Sequence, residues 1–208
     1  MIKNILITII IGLASLSTKA GSHEPVIADS DDIEVIYFFS LKCPGCAAVR
    51  SYVNVWEKLN VEKDTKVNFF RVPVINNNKN GWSESAQLYF LGMHVAKELN
   101  LPKDKMEVLL FQAAMQDDPI NHYDLRLKLL ALDISVPDQL WRNAVVTSKK
   151  MMLLSRDVQS NLTVKKTPSF VITGHGERYS VELDSSSNNA ALDLVTQLSK
   201  SVVKVIKP

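Results

Sequence analysis

Cys43-Pro44-Gly45-Cys46 is the segment whose residue types and spacing can do chemistry. Two cysteines three positions apart can close a disulfide or stand open as a dithiol, so they can trade two electrons with another thiol pair. They are the only cysteines among 208 residues. A bridge across so short a loop removes little entropy from the unfolded chain and would be a poor staple. Such a pair is kept for its reactivity. Zinc sites use the same spacing but need two further ligands, and the sequence holds no second cysteine pair and no closely spaced histidine pair. No metal site is expected.

What could position the pair is legible on both sides of it. Ile33 to Ser40 (IEVIYFFS) is β-branched and aromatic without polar alternation, which suits a strand buried on both faces. After the motif, Val49, Val53, Trp56 and Leu59 recur at helical spacing, so an amphipathic helix over 47–59 is expected. Pro44 suits its first turn, where the missing N–H has no partner to lose. At the end of a strand and the start of a helix, the first sulfur faces the helix N–H groups and the positive end of its dipole. That favours the thiolate and lowers the thiol pKa. Cys43 is therefore the expected nucleophile and Cys46 the more buried partner that resolves the mixed disulfide.

Further along, 66–75 (KVNFFRVPVI) reads as a second strand and 76–81 as a polar turn. Helical patterns follow at 86–99, 104–115, 123–132 and 138–158, parted by Leu101-Pro102, Asp118-Pro119 and Val136-Pro137. Beyond Thr167-Pro168 a β-hairpin is expected from strands at 169–173 and 178–183. A closing helix is expected over 189–206, with Leu192, Val195, Leu198 and Val202 on one face. His94 and His122 read as core-edge or surface residues rather than ligands, and Trp56, Trp82 and Trp141 as helix core. Met151-Met152 reads as helix packing.

The first twenty residues are of another kind. Lys3, an uncharged and mostly apolar run over 5–16, and small residues at Thr18 and Ala20 form the pattern of a cleaved signal peptide at 1–20. The run is too short to span a bilayer, which takes about 20 apolar residues. Lys3 and Lys19 are the leader's only charges, so its removal takes the formal charge from +2 to zero. A neutral mature chain offers no electrostatic case for nucleic acid or an anionic membrane surface.

The segment from Phe38 to Cys46 (FFSLKCPGC) resembles the active-site strand and turn of the DsbA family of periplasmic thiol:disulfide interchange proteins. Thr167-Pro168-Ser169-Phe170-Val171 is similar to that family's cis-proline segment, and the order of elements resembles its fold. The resemblance implies an α/β, thioredoxin-like fold over 21–208 with a helical insertion at about 82–160. It implies a cis bond before Pro168, which would lie against Cys43 and Cys46, and a Thr167 backbone open to an extended substrate strand. It further implies a periplasmic, monomeric enzyme with no cofactor beyond the Cys43–Cys46 disulfide. Unfolded exported polypeptides with free thiols would be its substrates, and a quinone-linked, DsbB-like membrane protein would reoxidise it.

Two departures stand out. Gly45 replaces the histidine found between proline and the second cysteine in the family's well-known motif, and Tyr37 stands where a buried acid often lies. Gly45 and Thr167 leave a periplasmic reductase or isomerase open, and the alternative of another class is a peptide-binding chaperone that uses the same groove and whose disulfide never turns over. Lys42 would bring a cation beside Cys43 or point into solvent.

Overall fold

The computed structural model describes residues 32–60, 66–76, 81–116, 121–184 and 186–206. The expected signal peptide at 1–20, most of the lead-in to residue 32, and the turn around Asp118-Pro119 lie outside the described residues. Strand β1 (Ile33–Phe39) leads into α1 (Pro44–Asn60) and β2 (Val67–Pro73). Four helices follow: α2 (Trp82–Glu98), α3 (Lys103–Ala114), α4 (His122–Ala131) and α5 (Asp138–Leu162). The hairpin β3 (Ser169–Gly174) and β4 (Glu177–Glu182) then precedes α6 (Ala190–Ile206).

The four strands form one sheet in the order β2-β1-β3-β4. β1 runs parallel to β2 and antiparallel to β3, so it is central and has neighbours on both edges. Both of its faces are covered, which is why its sequence lacks polar alternation. Ile33, Val35, Tyr37 and Phe39 join the core beneath α1 and α6, while Ile36 and Phe38 meet Val72, Val171 and Leu162 on the other face. Aromatic stacking holds the centre: the Tyr37 ring lies 4.7 Å from Phe170, and Phe39 meets Tyr89 of α2 edge-on at 4.8 Å. Such pairs contribute about 0.5–1.5 kcal/mol each beyond the area they bury.

Two helix faces differ from the sequence expectation. On α1, Val49, Val53 and Trp56 are buried, but Leu59 is 50% exposed. At about 100° per residue Leu59 lies roughly a quarter-turn off that stripe, and Asn60 lies on it, returning its side-chain amide to the Trp56 carbonyl at 2.8 Å. On α6 the buried stripe is Leu194, Leu198, Val202 and Val205; Leu192 lies on the opposite side and Val195 on the flank.

Two helices are also longer than their apolar patterns. α2 starts at Trp82, four residues before the expected 86, and α5 runs to Leu162, four beyond 158. The extension of α5 is polar up to the buried Leu162, and Gln159 uses both ends of its amide on Ile75, accepting from its N–H at 2.9 Å and donating to its carbonyl at 3.2 Å. A charged layer joins the helices to the sheet. Arg71 of β2, 7% exposed, pairs with Glu57 of α1 and with Glu107 of α3, the latter at 2.9 Å and 1% exposed.

Candidate active site

The turn between β1 and α1 is built by Ser40. Its carbonyl accepts the Cys43 N–H at 3.1 Å, and its hydroxyl accepts the Lys42 N–H at 3.1 Å. Cys43 thereby becomes the N-cap of α1, with Pro44, Gly45 and Cys46 as the first three helical residues. The Cys43 carbonyl accepts from Ala47 N–H at 3.1 Å, and its sulfur accepts from Cys46 N–H at 3.3 Å. A thiolate here fills the role that a serine or aspartate oxygen fills at an ordinary N-cap. The helix start thus has an anion-shaped vacancy in its hydrogen bonding, and the sulfur occupies it.

Both cysteines are unbridged, so the structure is that of the dithiol. The Cys43 residue is 8% exposed and Cys46 is fully buried. Hydrogen bonding from the Cys46 thiol pulls the Cys43 thiol down to about 6; burial opposes this, and the Thr167 side chain and the Cys46 and Gly45 N–H groups assist. Burial pushes the Cys46 thiol up, and its hydrogen bond and proximity to a Cys43 thiolate push it further. At neutral pH the pair therefore holds one anion at Cys43 and one proton at Cys46.

The Thr167–Pro168 peptide is cis, as the sequence resemblance implies. The Thr167 carbonyl lies 3.5 Å from the Cys43 sulfur and accepts from it when it is protonated. Pro168 is buried, and its Cδ lies 3.3 Å from where a Cβ on Gly45 would stand. The structure thus gathers Cys43, Cys46, Gly45, Thr167 and Pro168 around one sulfur, with Pro44 exposed on the rim. Lys42 does not point into the site. Its ammonium donates to the Gln116 carbonyl at 3.4 Å, and its stem lies 3.1 Å from where a Cβ on Gly81 would stand. Gly81 has a φ of 72°, so a side chain there would be strained as well as crowded.

Two further residues border the site. Leu183, just past β4, places its Cδ2 3.1 Å from the same missing Cβ of Gly45. Tyr37 lies under the turn with its hydroxyl buried and unpaired among the described residues. Burial, and then the charge of Cys46, push its pKa well above the ordinary phenol value. Among the described residues no cluster of metal-ligating side chains exists.

The chain is similar to the DsbA oxidoreductase of Xylella fastidiosa with a TM-score of 0.63 at 19% identity, over 85% of this chain and 88% of that one. Pseudomonas aeruginosa DsbA matches with a TM-score of 0.62 at 16% identity, over 85% and 88%. The NmDsbA1 oxidoreductase of Neisseria meningitidis matches at 0.58 and 17%, over 86% and 88%. The fold is that of DsbA. No family model matches the sequence, and no curated protein matches it. The DsbA fold is a thioredoxin-like sheet with a helical insertion, here α2 to α5 between β2 and β3. Among the described residues no helix is long and apolar enough to cross a membrane.

Proposed function

We propose that this protein is a thiol:disulfide oxidoreductase that introduces disulfides into exported polypeptides, with Cys43 as nucleophile, Cys46 as resolving thiol, and Pro168 and Thr167 as the wall against which substrate lies. The observation that supports it most is the N-capping of Cys43. A thiolate held by the helix start and by Cys46 stabilises the reduced state, and a pair whose reduced state is favoured is an oxidant. In the oxidised form a substrate thiolate attacks the Cys43 sulfur, the Cys43–Cys46 bond breaks, and Cys46 leaves with the electron pair and takes up a proton. The substrate's second thiolate then attacks the sulfur bonded to Cys43. Cys43 departs as the stabilised thiolate, and the substrate carries away the disulfide.

The size of the effect can be set. At pH 7 a thiol with a pKa of about 6 is mostly ionised, whereas an ordinary one, near 8.5, is about 3% ionised. The difference is about one log unit in the redox equilibrium, or about 30 mV toward oxidation. The same ionisation shapes the pH dependence. Below about pH 6, reduction of the disulfide takes up two protons; above it, one proton, because Cys43 stays ionised. The potential is expected to fall by about 60 mV per pH unit on the acid side and about 30 mV on the other. A single slope of about 60 mV per unit from pH 4.5 to 8 would remove the ionised Cys43.

Redox titration in glutathione buffers, read by mass shifts after thiol trapping, tests the reading. A potential near or above about −180 mV is the expected result, and a value near −270 mV would make the protein a reductase. A pair locked in one state across the buffers would make it a structural bridge in a binding protein. Export by the leader at 1–20, a periplasmic location, action as a monomer, and reoxidation by a quinone-linked, DsbB-like membrane protein complete the proposal. Its support is the resemblance of the CPGC and TPSFV segments, together with the fold.

A further inference from the structure

Gly45 has no need of glycine's conformational freedom. It lies in the first turn of α1 without a positive φ, where glycine is a poor helix former. What sets it apart is the tight space around it. An added Cβ would stand 3.1 Å from Leu183 Cδ2, 3.3 Å from Pro168 Cδ and 3.9 Å from the Cys43 sulfur. Leu183 is itself held in place. Its N–H donates to the Pro168 carbonyl at 3.3 Å, and beside it Glu182 pairs with Lys166 at 2.9 Å. The chain after β4 is thus fastened to the cis-proline loop at two points, and Leu183 is laid across the second position of α1.

From this we propose that Leu183 is a positioning residue for the reactive thiol: it takes the place that a side chain at position 45 would fill, and forms the apolar wall that limits solvation of the Cys43 sulfur. The inference rests on Cys43 being the reactive group. Residue 45 and Leu183 then act as one unit. A side chain at 45 has an effect only through the displacement of Leu183 and Pro168, and shortening Leu183 makes room for it. An apolar wall disfavours the charged form of the group it covers, so removing it lets water reach the thiolate and lowers the pKa. The groups facing the sulfur are the Cys46 thiol and N–H, the Gly45 N–H and Thr167, with the Tyr37 phenol of β1 in electrostatic reach, and Leu183→Ala alters none of them.

The test is the pH profile of iodoacetamide alkylation at Cys43, located by peptide mass mapping. The reduced full chain and its Gly45→Ala, Leu183→Ala, Leu183→Met and Gly45→Ala/Leu183→Ala variants are compared. Leu183→Ala is expected to move the alkylation midpoint down by about half a pH unit, and Leu183→Met, which keeps the apolar bulk, to leave it in place. Gly45→Ala is expected to change the alkylation rate about threefold in the parent chain and by less than half as much in the Leu183→Ala chain, where only Pro168 still crowds it. Equal effects of Gly45→Ala in both chains, or midpoints unmoved by Leu183→Ala, would overturn the proposal. Thermal melts show whether each variant is folded; a melt that shifts while the midpoint stays put assigns Leu183 to structure alone. Alkylation needs neither glutathione nor a polypeptide substrate, so failure of the oxidase reading in redox buffers leaves this result readable, and the reverse.

Discussion

Cys43→Ser is expected to abolish disulfide exchange, whereas Cys46→Ser is expected to react once and stop. The asymmetry follows from burial and hydrogen bonding. In the Cys43→Ser chain the remaining sulfur is fully buried, and burial keeps its proton on. Less than about 1% of a thiol with a pKa above 9 is ionised at pH 7, so its alkylation and its exchange with glutathione should be at least about a hundredfold slower than in the parent. In the Cys46→Ser chain Cys43 is still the N-cap of α1 and still accepts the residue 46 N–H. A serine hydroxyl can also donate where the Cys46 thiol did. Attack on oxidised glutathione then goes forward, but no second thiol resolves the product, and a mixed disulfide at Cys43 accumulates. Mass spectrometry after incubation with oxidised glutathione reads both outcomes. An adduct on Cys46 in the Cys43→Ser chain would reverse the assigned roles.

The parts of this site that were legible in the sequence are those with a short-range cause. Pro44 and the cysteine spacing mark the helix start because the first turn of a helix has spare N–H groups and no use for a proline N–H. The centre of β1 was legible because a strand covered on both faces contains almost nothing polar. The cis bond at Thr167–Pro168 was legible only through likeness to a known family, since any single X-Pro bond has a cis frequency of about 5–6%. Leu183 was not legible. Its place above Gly45 is set by a backbone hydrogen bond to Pro168 and by an ion pair between side chains, and neither leaves a local pattern. The α6 stripe was only half legible for a related reason: Leu198 and Val202 are on it, Leu192 and Val195 are not. The helix is apolar on more than one side, with Leu192, Val203 and Ile206 exposed, so periodicity alone did not say which side met the sheet.

Arg71→Met is expected to destabilise the fold by about 3–5 kcal/mol, with the potential of the cysteine pair unchanged. Arg71 is the junction of the molecule. It donates to Glu57 and Asn54 of α1 and to Glu107 of α3, and its guanidinium lies 5.4 Å from the Phe69 ring and 5.9 Å from the Tyr37 ring. Lys103 answers Glu57 at 2.7 Å, and Tyr89 and Asn54 complete the shell of Glu107. Glu57 shows how the balance is struck: burial pushes its pKa up, but Arg71 and Lys103 outweigh that and hold it below the ordinary value. Remove Arg71, and Glu57 keeps a lysine and partial exposure, while Glu107, 1% exposed, has neither. An unpaired buried carboxylate is what makes the loss large, rather than the worth of the ion pair itself. Two consequences separate this account from a simple packing defect. Glu107→Gln added to Arg71→Met removes the stranded charge and keeps one oxygen to accept from Asn54 or Tyr89, so it should recover more than half of the loss. The loss should also shrink as pH falls, because an unpaired buried carboxylate has a raised pKa and sheds its charge in acid. Urea unfolding of the oxidised protein at pH 5 and pH 8 measures both. The potential should stay put because Arg71 is not among the main causes of the lowered Cys43 pKa, which come from the helix start, Cys46 and Thr167. If Arg71→Met shifted the potential as well as the stability, the charged layer would belong to the redox site and not only to the frame that carries it.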